Sequence, residues 1–181
     1  HEWTERFFES KARRVGPGLI VGESFCPISK MVEMGIRSQA VLKRLKMKGA
    51  VVGYVSDPNT VLFMTYAISN EHKLIKNLAS VALVKKLTDE AFKVGGRPGG
   101  FGLLFSGNLK KIHGNGVKIM DDIKLALDPY YIMNPGKLIE NSTRFGIPLP
   151  GFAMGVGFNA MAILKRIMPA DKIEMKKNEK K

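Results

Sequence analysis

The chain has 181 residues, 45% apolar and 25% charged, with 29 Lys and Arg against 16 Asp and Glu; this excludes wholesale disorder, collagen and coiled coil, and allows a core without staples. One cysteine, Cys26, excludes an internal disulfide, and three scattered histidines, His1, His72 and His113, exclude a zinc finger or a three-histidine zinc site. The net charge of +13 invites a nucleic-acid reading, but with aromatics at 8% no aromatic ladder interleaves with the basic residues, and no nucleic-acid partner is expected.

Residues 2–14 place apolar side chains at 3, 7, 8 and 12, a helical spacing, and Val15-Gly16-Pro17-Gly18 stops that helix. Leu19 to Phe25 reads as a strand. Residues 28–47 carry Ile28, Met31, Val32, Ile36, Val41, Leu42 and Leu45 on roughly one helix face, closed by Gly49. Residues 50–55 and 61–68 are β-branched and aromatic, with Ser56-Asp57-Pro58-Asn59 as turn chemistry between them, so a hairpin is expected. Ser69 or Asn70 caps a long predicted helix through about Val94, with Leu74, Leu78, Val81, Leu87 and Ala91 inward. Residues 95–107 form a Gly-rich loop with a short strand expected at 102–105, and Val117 to Leu127 is a helix ended by Asp128-Pro129. The pattern argues an α+β fold with a mainly antiparallel sheet.

Gly95 to Gly107 lacks the Gly-Lys-Ser/Thr ending of a phosphate loop and follows a helix rather than a strand. Gly155 to Ala160 fits GxGxxA, but no strand precedes it. Cys26 has no histidine near it in sequence and reads as a small core residue. No secretory pattern opens the chain. Residues 145–164 are twenty consecutive uncharged residues, interrupted by Pro148, Pro150 and four glycines, and residues 165–181 add seven basic and three acidic residues. Three readings stand for this segment: packing on its own domain or a partner subunit, an interfacial anchor with the basic tail on anionic headgroups, or a membrane span.

Residues 120–137, MDDIKLALDPYYIMNPGK, carry the most specific string. Ile123-Lys124, Leu127-Asp128-Pro129, Ile132 and Asn134-Pro135-Gly136-Lys137 resemble the C-terminal signature of the FAD-linked oxidase family, the glycolate oxidase and D-lactate dehydrogenase group. Trp3-Thr4-Glu5-Arg6 looks like the W-x-x-R that opens this domain. Glu23 to Pro27 is similar to its E-D-x-x-V-P strand end, Gly53 to Val61 to G-H-x-G-D-G-N-x-H, and Gly95 to Gly99 to the G-G-x-x-x-G that leads into E-H-G.

The resemblance implies a ferredoxin-like α+β cap domain over residues 1–140, followed by an extension over 141–181. It also implies FAD, bound mainly by a domain or subunit outside this chain, and a 2-hydroxy acid of the D-lactate or glycolate type as substrate. Tyr54 is the catalytic candidate, although a phenol with its ordinary pKa of about 10 is a poor base at neutral pH. Arg6 and Asn59 are the substrate-binding candidates, Arg6 offering a bidentate clamp to a carboxylate. Asn134 and Lys137 are the cofactor-binding candidates at the junction with the flavin domain. Positions that hold metal-placing groups in relatives are Tyr54, Val61, Gly100 and Phe101 here, so no metal is expected. An iron–sulfur electron-transfer subunit is a further partner implied; separately from the resemblance, the apolar segment and basic tail over 145–181 point to an anionic membrane surface. Localisation is expected to be cytoplasmic, with the inner membrane face as the peripheral alternative. The alternative function is a non-catalytic scaffold subunit of a flavin-containing or membrane-associated complex.

Overall fold

The computed structural model describes residues 8–100, 106–136 and 151–169. The chain divides into two compact units, residues 1–97 with 158–181, and residues 98–157.

In the first unit a 3-10 helix, Phe8–Val15, leads into strand β1, Gly18–Pro27. A 3-10 turn, Ile28–Lys30, opens helix α1, Met31–Arg44. Strands β2, Gly49–Asp57, and β3, Thr60–Ser69, form the hairpin. Helices α2, Leu74–Ser80, and α3, Ala82–Lys93, then precede the two-residue edge strand β4, Arg97–Pro98. The sheet order is β2-β3-β1-β4, and β1 and β2 both pair antiparallel with β3. This is the βαββαβ arrangement of a ferredoxin-like α+β fold.

Hairpin chemistry is local. The Asn59 N–H donates to Asp57 Oδ1 at 2.8 Å, the Asx turn that aspartate favours, and the Ile28 N–H donates to the Asn59 carbonyl at 2.8 Å. Strand period then divides the sheet into two faces. One face turns Ser24, Cys26, Val61, Phe63, Thr65 and Ala67 into the core. Gly22 lies under α3 so closely that a Cβ there would meet Leu87 Cδ1 at 2.4 Å. Val41, Leu42, Leu45, Ala67, Leu83 and Leu87 fill one end of the core, and Cys26, Met34, Val61, Phe63, Ala91 and Val94 fill the other. Burial pushes the Cys26 thiol pKa up, which keeps it in the unreactive protonated form.

Helices α1 and α3 are tied by charge as well as by packing. The Glu90 carboxylate, 7% exposed, accepts from Arg37 Nη1 at 2.9 Å, Arg44 Nη2 at 3.1 Å and Lys93 Nζ at 2.9 Å. Arg37 also donates to Glu33 Oε1 at 2.8 Å. Burial pushes the Glu90 carboxyl up, but the hydrogen bonds from Lys93, Arg37 and Arg44 outweigh it and hold the pKa at about 2.

Four sequence expectations are corrected. The long helix to Val94 is two helices, and Leu74 and Leu78, expected inward, are 70% and 47% exposed. The break falls at Val81, so α2 turns its apolar side to solvent while α3 keeps Leu83, Leu87 and Ala91 on the core. Neither Ser69 nor Asn70 caps α2; its N-cap is Lys73, and Asn70 Oδ1 instead accepts from the His72 N–H at 3.1 Å. On α1, Val32 and Ile36 face outward, and the core takes Met34, Ser38, Val41 and Leu42. The described part of the first helical segment, Phe8–Val15, is 3-10 rather than α. The strand expected at 102–105 lies outside the described residues, whereas β4 emerges from within the Gly-rich loop.

In the second unit a 3-10 turn, Ser106–Asn108, leads into α4, Leu109–His113, and then α5, Gly116–Leu127. Helix α6 spans Gly151–Ile167, and from Phe158 onward it belongs to the first unit. There Phe158, Ala162 and Lys165 are buried along one stripe, Ala162 joins the core cluster, and Asn159 Oδ1 accepts from Lys86 Nζ at 2.8 Å. This half of the apolar segment therefore packs on its own chain. No helix among the described residues is long and apolar enough to cross a membrane.

Glu90→Gln removes the charge that three cations share. It lowers unfolding free energy at pH 7 by on the order of 3 kcal/mol. Because the folded pKa is depressed from 4.5 to about 2, the wild-type advantage is full above pH 4.5. It shrinks as pH falls through that window. Urea titrations of both proteins at pH 7 and pH 3 check the size and the sign.

Candidate functional site

The second face of the sheet carries Tyr54, one of the family-like positions. Tyr54 on β2 is opposite Leu62 on β3, and Leu62 is opposite Phe25 on β1. Directly opposed antiparallel residues share a face, so these three form one row across about 10 Å of sheet. Arg97 on β4 extends it: the guanidinium lies over the Phe25 ring, 4.3 Å from the centroid. Glu23, Met64 and Val52 form the next row of the same face.

The edge is closed by a glycine. A Cβ on Gly96 would come within 2.1 Å of the Phe25 carbonyl oxygen and 3.0 Å of the Ala91 carbonyl oxygen. The Gly96 N–H donates to the Ala91 carbonyl at 2.8 Å, and Gly95 adopts φ +75°. Only a chain without side chains at 95 and 96 can leave α3, turn and lay Arg97 beside β1.

In the second unit the 120–137 string builds a tight turn. Asp128 accepts from the Ile132 N–H at 2.8 Å and the Met133 N–H at 2.9 Å, and Lys124 Nζ donates to the same carboxylate. Lys124 Nζ also donates to the Met133 carbonyl at 2.6 Å and lies 5.6 Å from the centre of the Tyr131 ring. Lys124 and the two amides hold the Asp128 carboxyl below the usual range against the opposing pull of burial. These bonds stabilise a segment in which Tyr131, Asn134 and Gly136 adopt φ of 51°, 49° and 68°. For the two residues with side chains that backbone costs about 1 kcal/mol each.

Tyr54 stands 36% exposed in the row, and Asn59 is exposed at the hairpin tip beside Ile28, at the same end of the sheet. Asn134 is exposed on the turn of the second unit. Arg6, Lys137 and Phe101 lie outside the described residues. Val61 is fully buried, opposite Cys26, on the face away from Tyr54. Val61 therefore offers no donor to a divalent ion on the Tyr54 face. Among the described residues no three His, Cys, Asp or Glu side chains gather as a metal site. Sequence reasoning did not single out Arg97 or Phe25, because strand pairing, not spacing, joins them; the Gly-Gly pair before Arg97 was the available signal.

The chain matches the family described as "FAD linked oxidases, C-terminal domain" over residues 2–138. It belongs to that family. It is similar to D-lactate dehydrogenase (cytochrome) 1, mitochondrial, of Saccharomyces cerevisiae, with 28% identity over 114 residues, covering 63% of this chain. The chain matches over a stretch that amounts to 19% of that curated relative's length. No solved structure matches the chain.

Three substitutions test the local geometry. Gly96→Ala forces a shift of backbone and lowers the urea midpoint, whereas Gly100→Ala, with open space within 4 Å, changes stability by less than about 0.5 kcal/mol. Asp128→Ala releases the Ile132 and Met133 amides. Hydrogen exchange at those two positions becomes faster than in the wild type, with α3 amides unchanged.

Proposed function

We propose that this chain is the cap, or substrate-side, domain of an FAD-dependent 2-hydroxy-acid oxidoreductase of the D-lactate or glycolate type. In this reading the flavin is bound mainly by residues outside this chain. The family membership and the D-lactate dehydrogenase relative support it. The observation that carries it is the Tyr54–Leu62–Phe25–Arg97 row, which gathers on one sheet face three separated stretches that resemble family motifs.

The flavin, when bound, supplies the acceptor for the hydride of the substrate's carbinol carbon. This chain's part is to hold the acid and exclude water. Leu62 and Phe25 give an apolar floor, and Tyr54 contributes a hydroxyl that can orient the substrate's own hydroxyl by hydrogen bonding. Asn59 and Arg6 are substrate contacts in this reading. Asn134, displayed on the turn that Asp128 holds, and Lys137, by its point charge, are the cofactor-side contacts in this reading.

A second reading has a specific observation in its favour. Val61 stands buried in the core where the family pattern has an imidazole. A domain that has exchanged that group for packing can serve as a non-catalytic scaffold subunit of a flavin-containing complex.

Absorbance separates the two. Protein isolated from its native source shows a band near 450 nm that bleaches anaerobically on addition of D-lactate or glycolate, if the first reading holds. A colourless protein, or a flavin band unmoved by both acids, removes it in favour of the scaffold.

A further inference from the structure

Among the described residues Arg97 is held in place without a counter-charge. Its guanidinium lies over Phe25 at 4.3 Å from the ring centroid, and no carboxylate is paired with it among the described residues. Glu23, two residues before Phe25 on the same face, makes no ion pair with it. A guanidinium over a ring spends its flat face on the ring and keeps its N–H edge for another partner. Its freedom is already reduced by the ring and by a backbone that Gly96 fixes against the Phe25 carbonyl. An ordered planar cation of this kind presents two parallel N–H donors, the geometry of bidentate carboxylate recognition.

Its surroundings choose the size and kind of anion. The floor next to Arg97 is Phe25 and Leu62, and Tyr54 stands two strands away in the same row. Neighbouring strands are about 4.8 Å apart, so the row suits a short acid with a few carbons on the apolar floor. Glu23 beside the row disfavours a second negative charge on the ligand.

We infer that Arg97, stacked on Phe25, is a group on this chain, besides the proposed contact Arg6, that binds the carboxylate of a short monoanionic hydroxy acid. The inference rests on the hydroxy-acid reading for the hydroxyl of the ligand, but the anion site stands on geometry alone. Arg97 occupies the stretch just before Gly100 and Phe101, where the chain offers no imidazole, so a fixed side-chain cation does the anchoring there.

The test is calorimetric binding of D-lactate and of acetate to the purified protein, with Arg97→Gln, Arg97→Lys and Phe25→Leu variants. Wild type binds D-lactate. Arg97→Gln weakens binding about tenfold or more, Arg97→Lys keeps the charge but loses most of the fork, and Phe25→Leu falls between lysine and wild type. Circular dichroism shows all variants folded, as the exposed position of Arg97 requires. Equal D-lactate affinity in wild type and Arg97→Gln, or no binding by the wild type, overturns the inference. Equal affinity for acetate and D-lactate, both lost in Arg97→Gln, upholds the anion site while removing the hydroxy-acid reading. Turnover and flavin spectra do not enter either outcome.

Discussion

The β1–β3 ladder, running from Gly18 opposite Ser69 to Pro27 opposite Thr60, is the constraint from which the rest of the first unit follows. A strand's side chains alternate, so a slip of one residue would exchange the two faces entirely. In the register observed, Ser24, Cys26, Val61 and Phe63 go to the core while Phe25 and Leu62 go to the other face. The small residues on β1 are the condition for this register. Gly22 admits Leu87, and with Ser24 and Cys26 it lets α3 settle on the sheet. Bulk there would separate helix from strand and leave core clusters with unfilled volume.

Fold and site share these residues. The chain that leaves α3 can reach β1 only because Gly95 takes a positive φ and Gly96 has no Cβ to strike Phe25. That close approach makes β4, places Arg97 over the ring and closes the row that begins at Tyr54. Glu90 works on the opposite side of the sheet, where three cations on one carboxylate hold α1 and α3 in fixed relation. The rigidity needed to aim a side chain on the open face therefore originates in helices packed on the covered face.

The 120–137 string shows how a recognisable motif divides its labour. Its aspartate is structural: Asp128 satisfies two backbone amides and a lysine and stabilises three left-handed residues. Its asparagine is the displayed residue. A string of this kind is conspicuous in sequence because the turn tolerates so few alternatives, whether or not each member touches a ligand.

Much of the fold was legible from the chain alone. Strands, hairpin and α5 follow from β-branched runs, Asx turn chemistry and apolar period, all of them local signals. The family could be read from strings of neighbours for the same reason. Inward and outward choices on α1 and α2 were not legible. Leu74, Leu78, Val32 and Ile36 have helical spacing, but which residues are buried depends on how much sheet lies beneath each helix. The Arg97–Phe25 pair and the opposed faces of Tyr54 and Val61 belonged to tertiary structure alone. Residues dozens of positions apart meet there through strand order and register, which no local pattern encodes.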